Sequence, residues 1–288
     1  MSGPALALVL CAAAIHAGWN ALAKRARAPM AFLWSSVAVA TVLLAPAGLR
    51  YLPDEGVPEP AIPFLGATIV IHFVYFYALA RAYAAGGDLS LVYPIARGLG
   101  VALVPVVGMI LLDERPSALG AAGIVLVIAG IVGIAVASRL SLAPEGGASR
   151  VSGIGWALLT GLTIAAYSLV DKVGVSRLHP LPYLVILGAG MTLLLAPPVL
   201  RASRALVEEW RTNWRTILLA SCLNLTSYLL VLFAFRLAKT GYVVAARELS
   251  IVLSVLIGWM WLGEKNLTRR LVGAAVVLAG VACVALAR

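Results

Sequence analysis

One arrangement of residues occurs twice in this chain, and it constrains the fold more than any other feature. Arg97, Gly108, Leu112, Glu114, Gly123 and the pair Ala129-Gly130 recur as Arg247, Gly258, Leu262, Glu264, Gly273 and Ala279-Gly280, all at one offset of 150 residues. A fixed offset over six anchors marks an internal repeat. Each copy, from Arg97 to Ala137 and from Arg247 to Ala287, is an apolar run, a short polar break with one glutamate, and a second run rich in Gly, Ala and Val. A hydrocarbon core ~30 Å thick is crossed by about 20 apolar residues as helix, and each run supplies that length.

Runs of this kind fill the chain. Ten apolar segments are bounded by charge, Pro or Gly, near 4–23, 31–51, 62–85, 88–112, 117–138, 152–173, 180–200, 214–238, 241–262 and 268–287. The residues are 62% hydrophobic and only 12% charged, a balance that a soluble domain of this size could not present to water. The expected fold class is therefore an all-α integral membrane protein with ten transmembrane helices. The polar linker 139–151, with Pro144, Glu145 and Gly146-Gly147, divides it into five-helix repeats over 1–138 and 152–288. An odd number of crossings per half makes the second half enter from the opposite side, so the two are expected as an inverted-topology repeat. The first helices follow suit: Trp19-Asn20 with Lys24 matches Tyr167-Ser168 with Lys172 at an offset of 148.

A helix ending in a Leu-x-Glu turn, followed by a helix with a Gly-Ala-Ala…Leu-x-x-Ala-Gly pattern and closing each half, resembles the drug/metabolite transporter superfamily in its ten-helix EamA-type form. The stretch Asp88-Leu-Ser-Leu-Val-Tyr-Pro-Ile-Ala-Arg97 is similar to the opening of that family's fourth helix. The first copy departs at Asp113, where the second has Gly263. The resemblance implies a transporter with a central cavity between the halves, lined mainly by the third, fourth, eighth and ninth helices and working by alternating access. It extends to amino-acid exporters of the YddG kind.

The formal charge of +10 does not point to nucleic acid, because the cations fall mainly between apolar runs, where topology and lipid headgroups account for them. Thirteen Lys and Arg lie on the side of the odd loops and seven on the side holding both termini. That excess places the odd loops in the cytoplasm, both termini outside, and the protein in the cell (inner) membrane. The opening Met-Ser-Gly-Pro lacks the basic region of a signal peptide, so the first run is expected to stay as a helix. Cys11, Cys222 and Cys283 lie inside apolar runs without metal spacing, and neither a metal nor a cofactor is expected. No His-Glu-x-x-His, Gly-x-Ser-x-Gly or phosphate loop occurs, and the acids Asp54/Glu55, Asp113/Glu114 and Glu208/Glu209 fall in loops or at helix ends, so no enzyme is expected.

The spans carry sparse polar and aromatic residues that helical spacing gathers onto faces. His16, Trp19 and Asn20 share one; His72, Tyr75 and Phe76 another; Thr160, Thr163 and Tyr167 a third; Ser221, Asn224 and Tyr228 a fourth. A polar side chain facing lipid is costly, so these faces should point inward. His72, Tyr75, Asn224, Tyr228, His16, Trp19, Asn20 and Tyr167 are the candidate substrate-binding residues. Ser and Thr in such helices often only bond their own backbone, and the tryptophans near helix ends belong by default to the interfacial belt. No acid sits clearly at mid-span.

Each repeat's arginine lies 17 residues before its glutamate, about 25 Å along a helix rising ~1.5 Å per residue. Both could snorkel to a surface. Inversion instead suggests gates, with Arg97 at the cytoplasmic mouth and Arg247 at the outer one, pairing with Glu248, Asp88 or a substrate carboxylate. Tyr93 and Pro94 complete the gating set, and Pro94 and Pro105 should loosen the fourth helix. The partners expected are the lipid bilayer and a small-molecule substrate, best an amino acid with an apolar side chain, handled by a functional monomer. A multidrug or other-metabolite exporter, or a non-transporting membrane subunit or sensor, is the alternative.

Overall fold

The computed structural model describes residues 1–23, 26–84, 89–139, 150–253, 256 and 267–287. Among them every regular element is helical: α1 (Gly3–Ala23), α2 (Pro29–Arg50), a 3-10 turn (Glu59–Ala61), α3 (Ile62–Ala84), α4 (Leu89–Leu111), α5 (Ala118–Arg139), α6 (Arg150–Arg177), α7 (Pro180–Arg201), α8 (Ser203–Leu237), α9 (Thr240–Arg247) and α10 (Leu267–Leu286). Seven of the described helices are long and apolar enough to cross a membrane. The surface is correspondingly inverted. Val42, Ile110 and Leu193 are each more than 70% exposed, whereas Asp171 is fully buried and Glu248 only 2% exposed. A solvent of hydrocarbon places apolar side chains outside and polar ones within, and the molecule is a multi-pass membrane protein.

Between helices in lipid the hydrophobic effect is weak, and close backbone packing through small residues takes its place. The crossing of α5 with α10 is the clearest case. A Cβ on Gly123 would lie 2.7 Å from the carbonyl oxygen of Gly280, and one on Gly280 would lie 2.6 Å from that of Gly123. Gly130 and Gly273 oppose each other in the same way, at 2.7 and 2.8 Å. These four positions are repeat anchors, each from one copy meeting the other copy's partner, and the two helices cross antiparallel. Elsewhere α1 packs on α8, α3 on α6, α2 on α7, and α4 on α6 and α5, while α9 reaches α1 and α4. Both ends of the chain lie together, the amine of Met1 donating to the carbonyls of Ala285 and Ala287.

Four local features differ from the sequence expectation. First, α6 continues past 173 to Arg177, which carries Asp171 inside the helix. Second, α8 begins at Ser203 rather than near 214, with a kink at Asn213 (φ −123°, ψ 17°). The segment before the kink is amphipathic and was too charged to count as a span. It docks rather than looping: Trp210 packs beside Phe32 and donates to Ser35 Oγ at 2.8 Å. Glu209, 1% exposed, accepts the amide of Ala28 at 2.7 Å and Asn213 Nδ2 at 2.6 Å. Its carboxylate thus caps the positive end of α2.

Third, α4 holds its helix through Pro94 and Pro105, and the break falls in the proline-free counterpart. There α9 stops at Arg247, Glu248 takes a turn conformation, and 249–253 are helical again. Fourth, Asp113 adopts φ +50°, a left-handed conformation that Asp and Asn enter more readily than most residues. It does so at the place where the second copy has Gly263.

Candidate functional site

Several buried polar groups of the bundle, drawn from both halves, gather in one neighbourhood. Helix α3 sets Thr68 and His72 one turn apart on one face, and α6 does the same with Tyr167 and Asp171. Because α3 lies along α6, Thr68 Oγ1 donates to Asp171 Oδ1 at 2.5 Å. Tyr183 of α7 donates to the same oxygen at 2.8 Å, and Tyr228 of α8 donates to Oδ2. The carboxylate is held by three hydroxyls from three helices, and among the described residues no basic side chain is paired with it.

His72 sits directly above this carboxylate. Its Nδ1 lies 2.9 Å from the carbonyl oxygen of Thr68, its Nε2 is 3.3 Å from the Tyr228 hydroxyl, and its ring stacks on Tyr167 at 4.3 Å. Tyr75 approaches Tyr167 edge-on, at 5.7 Å between ring centres. The far face of Tyr228 meets the second part of the cluster, with the guanidinium of Arg247 5.7 Å from its ring centre. On the α1 side, Trp19 Nε1 donates to His16 Nδ1 at 3.0 Å, and Arg247 Nη2 lies 3.5 Å from that same nitrogen. The Nε of Arg247 is buried without a hydrogen bond among the described residues.

Arg97 of α4 closes the cluster. Its Nη2 is 2.6 Å from Glu248 Oε1 and its Nε donates to Oε2 at 3.0 Å, with both side chains almost wholly buried. Of the two acids named from the sequence as partners for the arginines, Glu248 is the one that Arg97 takes. Arg97 turns inward onto the residue that follows Arg247, so both arginines share one neighbourhood.

Of the candidate residues, His16, Trp19, His72, Tyr75, Tyr167, Tyr228, Arg97, Arg247 and Glu248 are brought together. Asn20 and Asn224 are half-buried, and no described polar contact joins them to the cluster. Tyr93 and Pro94 lie on the α4 backbone with their side chains outside the described residues, as Asp88 is entirely. Thr160, Thr163 and Ser221 bond carbonyls of their own helices. The sequence reading missed Asp171, Thr68 and Tyr183 as members of this cluster. A signal for Asp171 existed: it continues the face of Thr160, Thr163 and Tyr167 by one more turn, but its neighbour Lys172 made the pair look like a helix end.

A second polar group lies where the two chain ends meet. Glu114 accepts the amide and hydroxyl of Thr240 at 2.5 and 3.1 Å, which caps α9, and pairs with Lys172 at 3.3 Å. Lys172 also donates to the carbonyl of Ala238 at 2.8 Å. Glu114, Lys172 and Ala238, with Arg236, Lys239 and Tyr242, line a cavity of ≈ 380 Å³.

Comparison with known proteins adds three findings. Residues 151–286 match the family described as EamA-like transporter family. No curated protein matches the sequence. A crystal structure described only as that of a protein is similar over 99% of this chain and 97% of its own length, with a TM-score of 0.75 at 17% identity, a likeness of fold.

Proposed function

We propose that this chain is a transporter of the EamA type: ten transmembrane helices in two inverted five-helix repeats, 1–138 and 152–288, joined by the linker 139–151. It exports amino acids with apolar or aromatic side chains, by alternating access through a central cavity. The match of residues 151–286 and the symmetric α5/α10 crossing support this architecture. The inner membrane, both termini outside and a functional monomer complete the reading, the last because one chain supplies both halves of the site.

The observation that carries the substrate class is the balance of charge in the cluster. Arg97 is neutralised by Glu248, whereas Arg247 has no acid within ion-pair distance among the described residues and faces His16 and Tyr228. One such cation suits one carboxylate. The rings of Tyr75, Tyr167, Tyr228 and Trp19 beside it suit an apolar side chain. A multiply anionic substrate would need more deep cations than these. Export of hydrophobic cations is the second reading, favoured by the Asp171 carboxylate, although three hydroxyls already occupy that group.

The test is counterflow in proteoliposomes loaded with unlabelled amino acids and offered labelled Phe, Leu, Thr, Lys and Glu. Saturable exchange of Phe and Leu over Lys and Glu is the expected result. Absence of all exchange in folded protein, with uptake of a cationic dye, would transfer the assignment to the second reading.

A further inference from the structure

We propose that His72, Tyr228 and Asp171 form a proton-binding site, and that its occupancy sets how strongly Arg247 holds a substrate carboxylate. The second clause rests on the substrate reading above; the first stands on geometry alone.

An imidazolium has two N–H donors, and here each has an acceptor. Nδ1 faces the Thr68 carbonyl at 2.9 Å. Nε2 faces the Tyr228 oxygen at 3.3 Å, and Tyr228 gives its own proton to Asp171 Oδ2, which leaves its oxygen free to accept. In the neutral ring the single proton sits on Nδ1 towards the Thr68 carbonyl, or on Nε2 towards Tyr228 with the Thr68 hydroxyl 3.0 Å from Nδ1. Each ring nitrogen thus has a partner in the charged ring and in the neutral one, as a group that takes up and releases a proton needs. Asp171 supplies the counter-charge through one intervening hydroxyl.

From the Nδ1-protonated ring, proton uptake forms one N–H bond at Nε2 with a proton from water, and release returns it to water. The hydrogens on Tyr228, Thr68 and Tyr183 keep their places.

The groups facing His72 are few. They are Thr68 on its own helix, Tyr167 and Asp171 on α6, Tyr183 on α7 behind the carboxylate, Tyr228 on α8, and Arg247 across the Tyr228 ring. With the proton bound, the His72/Asp171 pair is neutral. Without it the pair carries one negative charge beside Arg247, which then competes with a substrate carboxylate for that guanidinium. By linkage, a carboxylate on Arg247 must also favour the protonated form of His72.

The chain has three histidines, so imidazole nitrogen NMR on ¹⁵N-histidine-labelled protein in nanodiscs resolves the site, with His72→Gln identifying the signal. Between about pH 8 and about pH 4.5 the wild-type His72 signal should convert to imidazolium. At a given acidic pH the ratio of charged to neutral ring should fall about tenfold or more in Asp171→Asn, which removes the counter-charge while keeping its shape. Tyr228→Phe, which removes only the accepting oxygen, should lower that ratio as well and stands in if Asp171→Asn does not fold. A His72 signal that stays neutral throughout, or that both variants leave unmoved, overturns the proton site. Adding leucine should raise the charged fraction. If leucine exchanges in counterflow but leaves the titration unchanged, the link to Arg247 is overturned while the proton site stands. If leucine neither exchanges nor shifts the titration, the substrate reading fails and the link to Arg247 falls with it.

Discussion

The Arg97 guanidinium grips the Glu248 carboxylate with two contacts, 2.6 and 3.0 Å, in the interior of the bundle. This pair ties α4 of the first half to the turn that ends α9 in the second. Removing one member leaves an uncompensated buried charge, which typically costs about 3–5 kcal/mol. Glu248→Gln should lower the thermal midpoint of the detergent-solubilised protein clearly, and the double variant Arg97→Met/Glu248→Leu should recover most of the loss. Equal midpoints for the single and double variants would show that the pair is not coupled.

In the proposed function, substrate binding rests on the neighbouring cation, Arg247. Arg247→Ala should reduce leucine counterflow about tenfold or more through a raised half-saturation concentration, and Arg247→Lys should restore part of it. Leucinamide, which lacks the carboxylate, should be handled equally by wild type and Arg247→Ala. A variant that loses both substrates alike would place the arginine outside the binding step.

The crossing of α5 and α10 leaves no room for a methyl group at Gly123 or Gly130. Gly130→Ala should destabilise by about 1–3 kcal/mol, because the Gly273 carbonyl and the Val277 amide nitrogen, both backbone, stand in the way beside the Val277 side chain. Gly66 on α3 has nothing within 4 Å of its Cβ position, so Gly66→Ala should instead gain about 0.5–1 kcal/mol from helix propensity. Thermal melts of the two variants side by side separate packing from propensity.

Glu209 is the cap of a helix it does not belong to. Glu209→Ala strips the Ala28 amide of its acceptor and should cost about 1–2 kcal/mol. Amide exchange should rise first over the opening turn of α2, and uniform exchange along the chain would contradict the assignment.

His179 precedes α7 outside the spans, where Nδ1 accepts the Leu181 amide at 3.3 Å and the ring stacks on Tyr51. Burial, and then the charge of Arg236, hold it below its ordinary 6.5. The folded state therefore prefers the neutral ring. Its contribution to stability is fully present above 6.5 and is lost as pH falls through the lowered folded value. His179→Asn keeps a capping oxygen without a titrating group, so its thermal midpoint should fall less on acidification than that of the wild type.

The sequence alone determined the membrane setting, the approximate place of the described long helices and the doubled anchors, because apolar run length and helical period are local properties of the chain. It placed Gly123, Gly130, Gly273 and Gly280 at matching offsets, and these are the points where α5 and α10 touch. It also put His72 and Tyr228 inside the bundle, since both sit mid-run. Tertiary structure decided which polar groups meet. Asp171 looks like the charged end of a helix until Thr68, Tyr183 and Tyr228 arrive from three other helices to hold it. Arg97 and Glu248 are 151 residues apart, and they meet at the turn after Arg247, where no proline announces a break. A buried charge is tolerated only where distant partners satisfy it, so where such charges settle is a property of the assembled bundle and not of any one segment.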